Sequence, residues 1–226
     1  MLTSAQREIA ALRIVDSALE NAGISAQYCN YSLPKTTSSL ATLEQVILLA
    51  KAGTLLASSQ SLDSVDSSIL STLAATSIAR SFQRSSLASI SGRIPEHAPF
   101  IAPMTPKWAH SLLLPFLSSE SCPLDQEVRS TPGLRITVEN EAAVNLTWQG
   151  NDNRNPLLVG WVSWHRKPIY TPITPTSGNS GVTPIPSGLR GFVIMVLANK
   201  TSTNIFDLSA DSLSRPEMVE IVYNGD

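Results

Sequence analysis

Apolar side chains recur at helical spacing through the first half of the chain and at alternating spacing through the second. Ile9, Leu12, Val15 and Leu19 share one face of a helix expected from about Ser4 to Ala22, with Gly23 as its stop. A loop with Pro34 follows. Leu43, Val46, Ile47, Ala50 and Leu55 mark a second helix, about Leu40 to Ser59, which Ser39 is placed to cap. A third runs from about Val65 to Ile90 and ends at Gly92. A short fourth, Thr105 to Ser118, contains Pro115, which should kink or end it.

Beyond Pro123 the pattern changes to short β-rich runs between Pro, Gly and Asn clusters. The strand candidates are Leu134–Val138, Ala143–Trp148, Leu157–Ser163, Val182–Ile185, Gly191–Ala198 and Met218–Tyr223. Leu134, Ile136 and Val138 fall on one side of the first. Short strands with turn signals between them imply a small antiparallel sandwich. The Pro/Ser/Gly-rich stretch from Thr171 to Gly188 reads as a mobile loop, or as an edge carrying little pairing. The fold class expected is therefore α+β, with residues 1–122 helical and residues 123–226 a β-sandwich.

Composition narrows the function classes. The chain has 226 residues, enough for one large domain or two small ones, and 42% of them are hydrophobic, which excludes global disorder. Charged residues are 15% and the net charge is −2. Without clustered Lys and Arg, no nucleic-acid partner is expected. Arg7, Glu8, Arg13, Asp16 and Glu20 make the first stretch an amphipathic helix instead of a secretory leader. No window reaches the length of a membrane span. As written, the chain is expected to be cytoplasmic.

Candidate chemistry is sparse. Cys29 and Cys122 are too far apart for a CxxC motif and too few for a zinc site; a disulfide between them requires an oxidising compartment. His97, His110 and His165 have no ligand-type residue at helical spacing and read as surface or packing histidines. Trp148, Trp161 and Trp164 gather in the β half, where sandwich core plus one exposed ring is the ordinary reading. There is no G-x-S-x-G elbow and no Gly-rich phosphate loop. Asn-x-Ser/Thr sequences at Asn30, Asn145 and Asn199 are about as many as chance supplies in a chain so rich in Ser and Thr.

At the junction of the halves, Ala109–Pro123 (AHSLLLPFLSSESCP) resembles the block closing the helical domain of a fungal and plant ferritin-like family. That family includes desiccation-related, stress-response and late-sexual-development proteins. QYCNYSLP (Gln27–Pro34) resembles its Cys-containing interhelix link, and SIARSFQRSSL (Ser77–Leu87) its fourth long helix. IPSGLRGFVIMVLAN and RPEMVEIVYN resemble the last strands of the β-domain that fungal members append. The resemblance implies a partial ferritin-like bundle of three long helices plus a short one, lacking the first helix. It also places both cysteines in blocks where the family has cysteines, fitting a disulfide in a secreted version with an upstream segment.

The family's di-metal site needs convergent carboxylates and imidazoles. Here Glu8 matches one ligand, but Ala11, Leu48, Ile78 and Ser81 stand at the others, so neither metal nor another cofactor is expected. Lys51 lies three residues after Leu48 and shares its face, so a Lys51–Glu8 ion pair is expected to occupy part of the vacated site, against the simpler reading that Lys51 snorkels to the surface. With a helix missing, an apolar groove remains, to be covered by the β half, by a second copy of the chain, or by a protein or apolar small-molecule partner. The resemblance thus implies a metal-free, non-catalytic scaffold or binding protein in fungal stress or development. The alternative is a metal-independent accessory enzyme, a cyclase or isomerase of secondary metabolism, with Glu8 and Lys51 its weak acid–base candidates.

Overall fold

The computed structural model of the chain describes residues 29–32, 34–60, 102–118, 130–138, 142–149, 156–163, 167–189 and 191–221, together with Arg13, Glu20 and Gly23. Helix α1 spans Thr37–Gln60, α2 spans Pro106–Leu113, and a 3-10 turn, Leu114–Phe116, follows it directly. The strands are β1 (Leu134–Val138), β2 (Ala143–Trp148), β3 (Leu158–Val162), β4 (Ile169–Pro172), β5 (Thr174–Pro175), β6 (Ser180–Pro184) and β7 (Gly191–Ala198). Helix α3 (Ile205–Asp211) and β8 (Glu217–Ile221) complete the order.

Among the described residues all strand pairings are antiparallel and form two four-stranded sheets, ordered β1-β2-β6-β5 and β4-β3-β7-β8. This corrects the expected α+β helical bundle. Among the described residues there is one long helix, with two short ones, and the architecture is mainly β. The expected helices Ser4–Ala22 and Val65–Ile90 lie outside the described residues. Of the first, Arg13 and Glu20 are helical, and Gly23 (φ 72°) donates its N–H to the Glu20 carbonyl at 2.9 Å, the geometry of a glycine stop.

The physical reason for the correction lies in what α1 packs on. Its buried positions Leu43, Val46, Ala50, Gly53 and Ala57 follow helical spacing. Ala50 and Ala57 share a core with Met104, Trp108, Val162, Ile194, Val196 and Leu208, so this face rests on a sheet and on the segment crossing it. A helical stripe records that one side is buried and not by what. Val162, Ile194, Val196 and Leu208 of the β half cover this face of α1. The core also runs straight across the composition change near residue 123.

Strand β7 explains the layering. Ile194, Val196 and Ala198 face the helices, while Val193, Met195 and Leu197 face the other sheet with Val144, Leu146, Val159 and Trp161. With both faces covered, the strand reads as an unbroken apolar run, GFVIMVLA. The described residues therefore form three layers: helices, the β4-β3-β7-β8 sheet, and the β1-β2-β6-β5 sheet.

Half of the Pro-rich stretch is strand: it holds the end of β4, all of β5 and all of β6. β4 and β5 are separated by Ile173 alone, so the chain turns a corner and passes from one sheet to the other. Ile173 is buried, and a methyl group at Gly181 would lie 2.5 Å from its Cγ2. The reading of this stretch as an edge holds for β4 and β5, which tolerate Pro172 and Pro175, but not for β6, which pairs with β2 on one side and β5 on the other.

Helix α2 begins one residue later than the sequence implied. Thr105 is its N-cap, accepting from Trp108 N–H at 3.3 Å, and Pro106 opens the first turn. Pro115 falls in the 3-10 turn that ends it. Ser39, read as the cap of α1, lies inside that helix, which starts at Thr37.

Candidate functional site

Four polar groupings stand out among the described residues. The first is a buried thread between the sheets. Trp161 Nε1–H donates to Thr171 Oγ1 at 2.6 Å, Thr171 Oγ1 lies 2.6 Å from Thr183 Oγ1, and Thr183 donates to the Pro172 carbonyl at 3.0 Å. Indole nitrogen only donates and the last acceptor is a carbonyl, so the middle bond runs from Thr171 to Thr183. Every proton in the thread is committed, which makes it a structural rivet between layers.

The second grouping joins α2 to α3. Thr105 Oγ1 is 2.8 Å from Ser209 Oγ, both buried. Beside it Trp108, 1% exposed, has its Nε1 buried with no hydrogen-bond partner. The start of α3 is fixed separately: Asn204 Oδ1 accepts from the N–H groups of Phe206 and Asp207 at 2.9 Å, and Asn204 Nδ2 donates to Asp207 Oδ2 at 2.7 Å.

The third lies along the β1–β8 seam. Burial raises the Glu217 carboxyl above the ordinary value, while the guanidinium groups of Arg215 and Arg135 pull it back down. The Arg215 N–H bonds the Pro132 carbonyl at 2.8 Å, and its Nε is buried without a partner. A methyl group at Gly133 would sit 2.9 Å from Arg215 Nη2 and 3.1 Å from Gln149 Oε1. A perturbed carboxyl flanked by cations is a pattern found at functional sites. Here it lies where edge strands of the two sheets approach each other.

The fourth is a clasp at the chain crossing near Cys29. Tyr31 and Leu117 form an isolated antiparallel bridge. Ser32 N–H donates to the Phe116 carbonyl at 2.7 Å, Ser118 N–H to the Asn30 carbonyl at 2.9 Å, and the Ser32 and Ser118 hydroxyls are 3.2 Å apart. Cys29 packs against Leu114 and Leu117 and is disulfide-bonded. The chain's other cysteine, Cys122, lies outside the described residues.

Of the residues singled out in the sequence, Lys51 lies on the exposed side of α1, opposite its buried stripe. Partial burial lowers its ammonium pKa from the ordinary value. Glu8, Ala11, Ile78, Ser81, His97, Trp164 and His165 lie outside the described residues, so the Lys51–Glu8 pair does too. Leu48 is on α1 and half-buried His110 on α2. Trp161 is fully buried in the intersheet core and Trp148 packs at its margin. No group of three or more His, Cys, Asp or Glu side chains placed to hold a metal occurs among the described residues. No described helix is long and apolar enough to cross a membrane.

Sequence reasoning missed the thread and the seam. Thr171 sat in the stretch read as a mobile loop or weakly paired edge and Thr183 in the strand candidate Val182–Ile185, and neither reading brought the two hydroxyls together. Arg135, Arg215 and Glu217 carried no motif, and only the β1–β8 approach brings them together. No protein-family model and no curated protein matches the chain.

Proposed function

We propose that this chain is a non-catalytic structural or binding module that works in an oxidising, lumenal or extracellular compartment. The observation that carries the reading is the disulfide at Cys29, seated in the clasp that ties residues 29–32 to 116–118. Disulfides form and persist where thiols are not kept reduced. The polar side chains support the non-catalytic part. The Trp161–Thr171–Thr183 thread and the Thr105–Ser209 pair each hold one element on another, and Asn204 caps α3, so these groups serve the fold.

Thiol counting on the purified full chain tests this directly. Under native, non-reducing conditions neither of the 2 cysteines should react with an alkylating agent, and both should react after reduction in denaturant. Metal analysis of the same sample should find no stoichiometric transition ion. Reactive thiols in freshly isolated native protein would overturn the compartment, and two tightly bound ions per polypeptide would overturn the non-catalytic assignment.

A further inference from the structure

We propose that Asn199 carries an N-linked oligosaccharide. The inference rests on the oxidising-compartment reading, because transfer of oligosaccharide to asparagine occurs on the route where disulfides form. The sequence supplies three acceptor sequences of equal standing, and the fold separates them. Asn145 is half-buried on β2, an interior strand, with Thr137 and Val182 opposite it on the neighbouring strands. Asn30 is exposed, but it adjoins the disulfide-bonded Cys29, and its carbonyl is tied to Ser118.

Asn199, Lys200 and Thr201 are all exposed, on the turn that leaves β7. The Asn199 side chain is oriented: its Oδ1 accepts the Leu157 N–H at 3.2 Å. The two amide prongs diverge, so Nδ2 is turned away from that backbone contact. Lys200 Nζ reaches Asp211 Oδ2 at 2.9 Å, which commits the middle residue's side chain to α3. Leu157 itself is 61% exposed beside this turn, an apolar surface that the first sugar ring can cover. The exposed acceptor, the oriented amide and the uncovered leucine meet at one place.

In the transfer, Asn199 Nδ2 bonds to the anomeric carbon of a polyprenyl-diphosphate-linked oligosaccharide. The bond from that carbon to the diphosphate oxygen breaks, the lipid diphosphate leaves with the electron pair, and Nδ2 gives up one proton to the transferase.

The test uses full-length chain isolated from its native source. Peptides covering Asn199 are read by mass spectrometry before and after enzymatic deglycosylation in 18O-labelled water, and the oxidation state of Cys29 is measured on the same sample. The expected result is a sugar-bearing peptide that becomes 18O-labelled Asp at position 199, with Cys29 oxidised. A bare Asn199 in protein whose Cys29 is disulfide-bonded overturns the glycan and leaves the compartment standing. A bare Asn199 with reduced Cys29 removes both. Thr201→Ala, secreted from the same host, keeps the Asn199–Leu157 bond and should lose the carbohydrate mass at this peptide; retention of that mass would equally overturn the assignment.

Discussion

Thr171 and Thr183, on strands of different sheets, share a hydroxyl–hydroxyl hydrogen bond of 2.6 Å in the interior of the sandwich. Because the bond runs from Thr171 to Thr183, the two positions are not equivalent. Thr171 accepts from Trp161 and donates to Thr183, which donates in turn to the Pro172 carbonyl, so loss of either threonine breaks two bonds. Loss of Thr171 strands a fixed indole N–H, whereas loss of Thr183 strands a hydroxyl that can rotate. Thr171→Val should cost about 1–3 kcal/mol, the penalty for leaving a buried donor unpaired, and more than Thr183→Val. Urea unfolding of both single variants and the double measures this; equal costs would show that the stranded indole N–H is no more expensive than the stranded hydroxyl.

The two deeply buried tryptophans should respond differently to loss of the indole nitrogen. Trp161 Nε1 is bonded and Trp108 Nε1 has no partner. Trp108→Phe gives up packing but also removes an unsatisfied buried donor, whereas Trp161→Phe gives up packing and a hydrogen bond. The midpoint of thermal unfolding should fall further for Trp161→Phe.

At Gly53, helix propensity and packing oppose each other. Alanine gains about 1 kcal/mol in an exposed helix interior. Here its Cβ would lie 2.8 Å from both the Ala102 carbonyl oxygen and Met104 Cβ. Moving that segment away also strains the Met104 N–H bond to the Gly53 carbonyl at 2.9 Å. Overpacking of this kind costs about 1–3 kcal/mol, so Gly53→Ala should destabilise on balance. A denaturant midpoint above that of the unsubstituted chain would refute the close approach.

Glu217 makes stability depend on pH with a defined sign. Its folded pKa is raised, chiefly by burial, so the folded chain holds this proton more tightly than the unfolded one. The contribution is fully present below the ordinary value of 4.5 and is lost as pH climbs through the raised folded value. Glu217→Gln lacks this loss. Urea midpoints across a pH series should therefore shift in favour of the variant as pH rises above 4.5, and parallel curves would argue against the burial of this carboxyl.

Reducing the disulfide at Cys29 should destabilise the chain by about 2–4 kcal/mol, since an open chain has more unfolded conformations to lose. Cys29→Ser and Cys122→Ser should each reproduce the effect, and the double variant should be no worse than either single. Additive losses would show the two cysteines acting separately.

Much of the sheet was legible in the sequence. LRITV, AVNLTW and GFVIMVLA form strands with the expected boundaries because alternation or an unbroken apolar run marks a strand whatever covers it. β4 and β5 were hidden by Pro172 and Pro175, which sequence reasoning treats as breakers and edge strands tolerate. Helix α3 was missed because seven residues give too few turns to show a period, and its Asn204 cap announced it more clearly than its apolar residues. The helical bundle was the larger error. α1 carries the stripe of a bundle helix, and nothing in Ala50 or Ala57 distinguishes a neighbouring helix from Val196 of a strand. The candidate sites were illegible for the same reason: Thr171 with Thr183, and Arg135 with Glu217, are partners of topology.

Strand β7 is a party wall. Its even-numbered and odd-numbered side chains finish two separate interiors, so neither neighbour can be demolished without opening the other. Cutting the gene near codon 122 would accordingly yield two sticky fragments instead of two domains, and a calorimetric scan of the intact polypeptide should trace one peak.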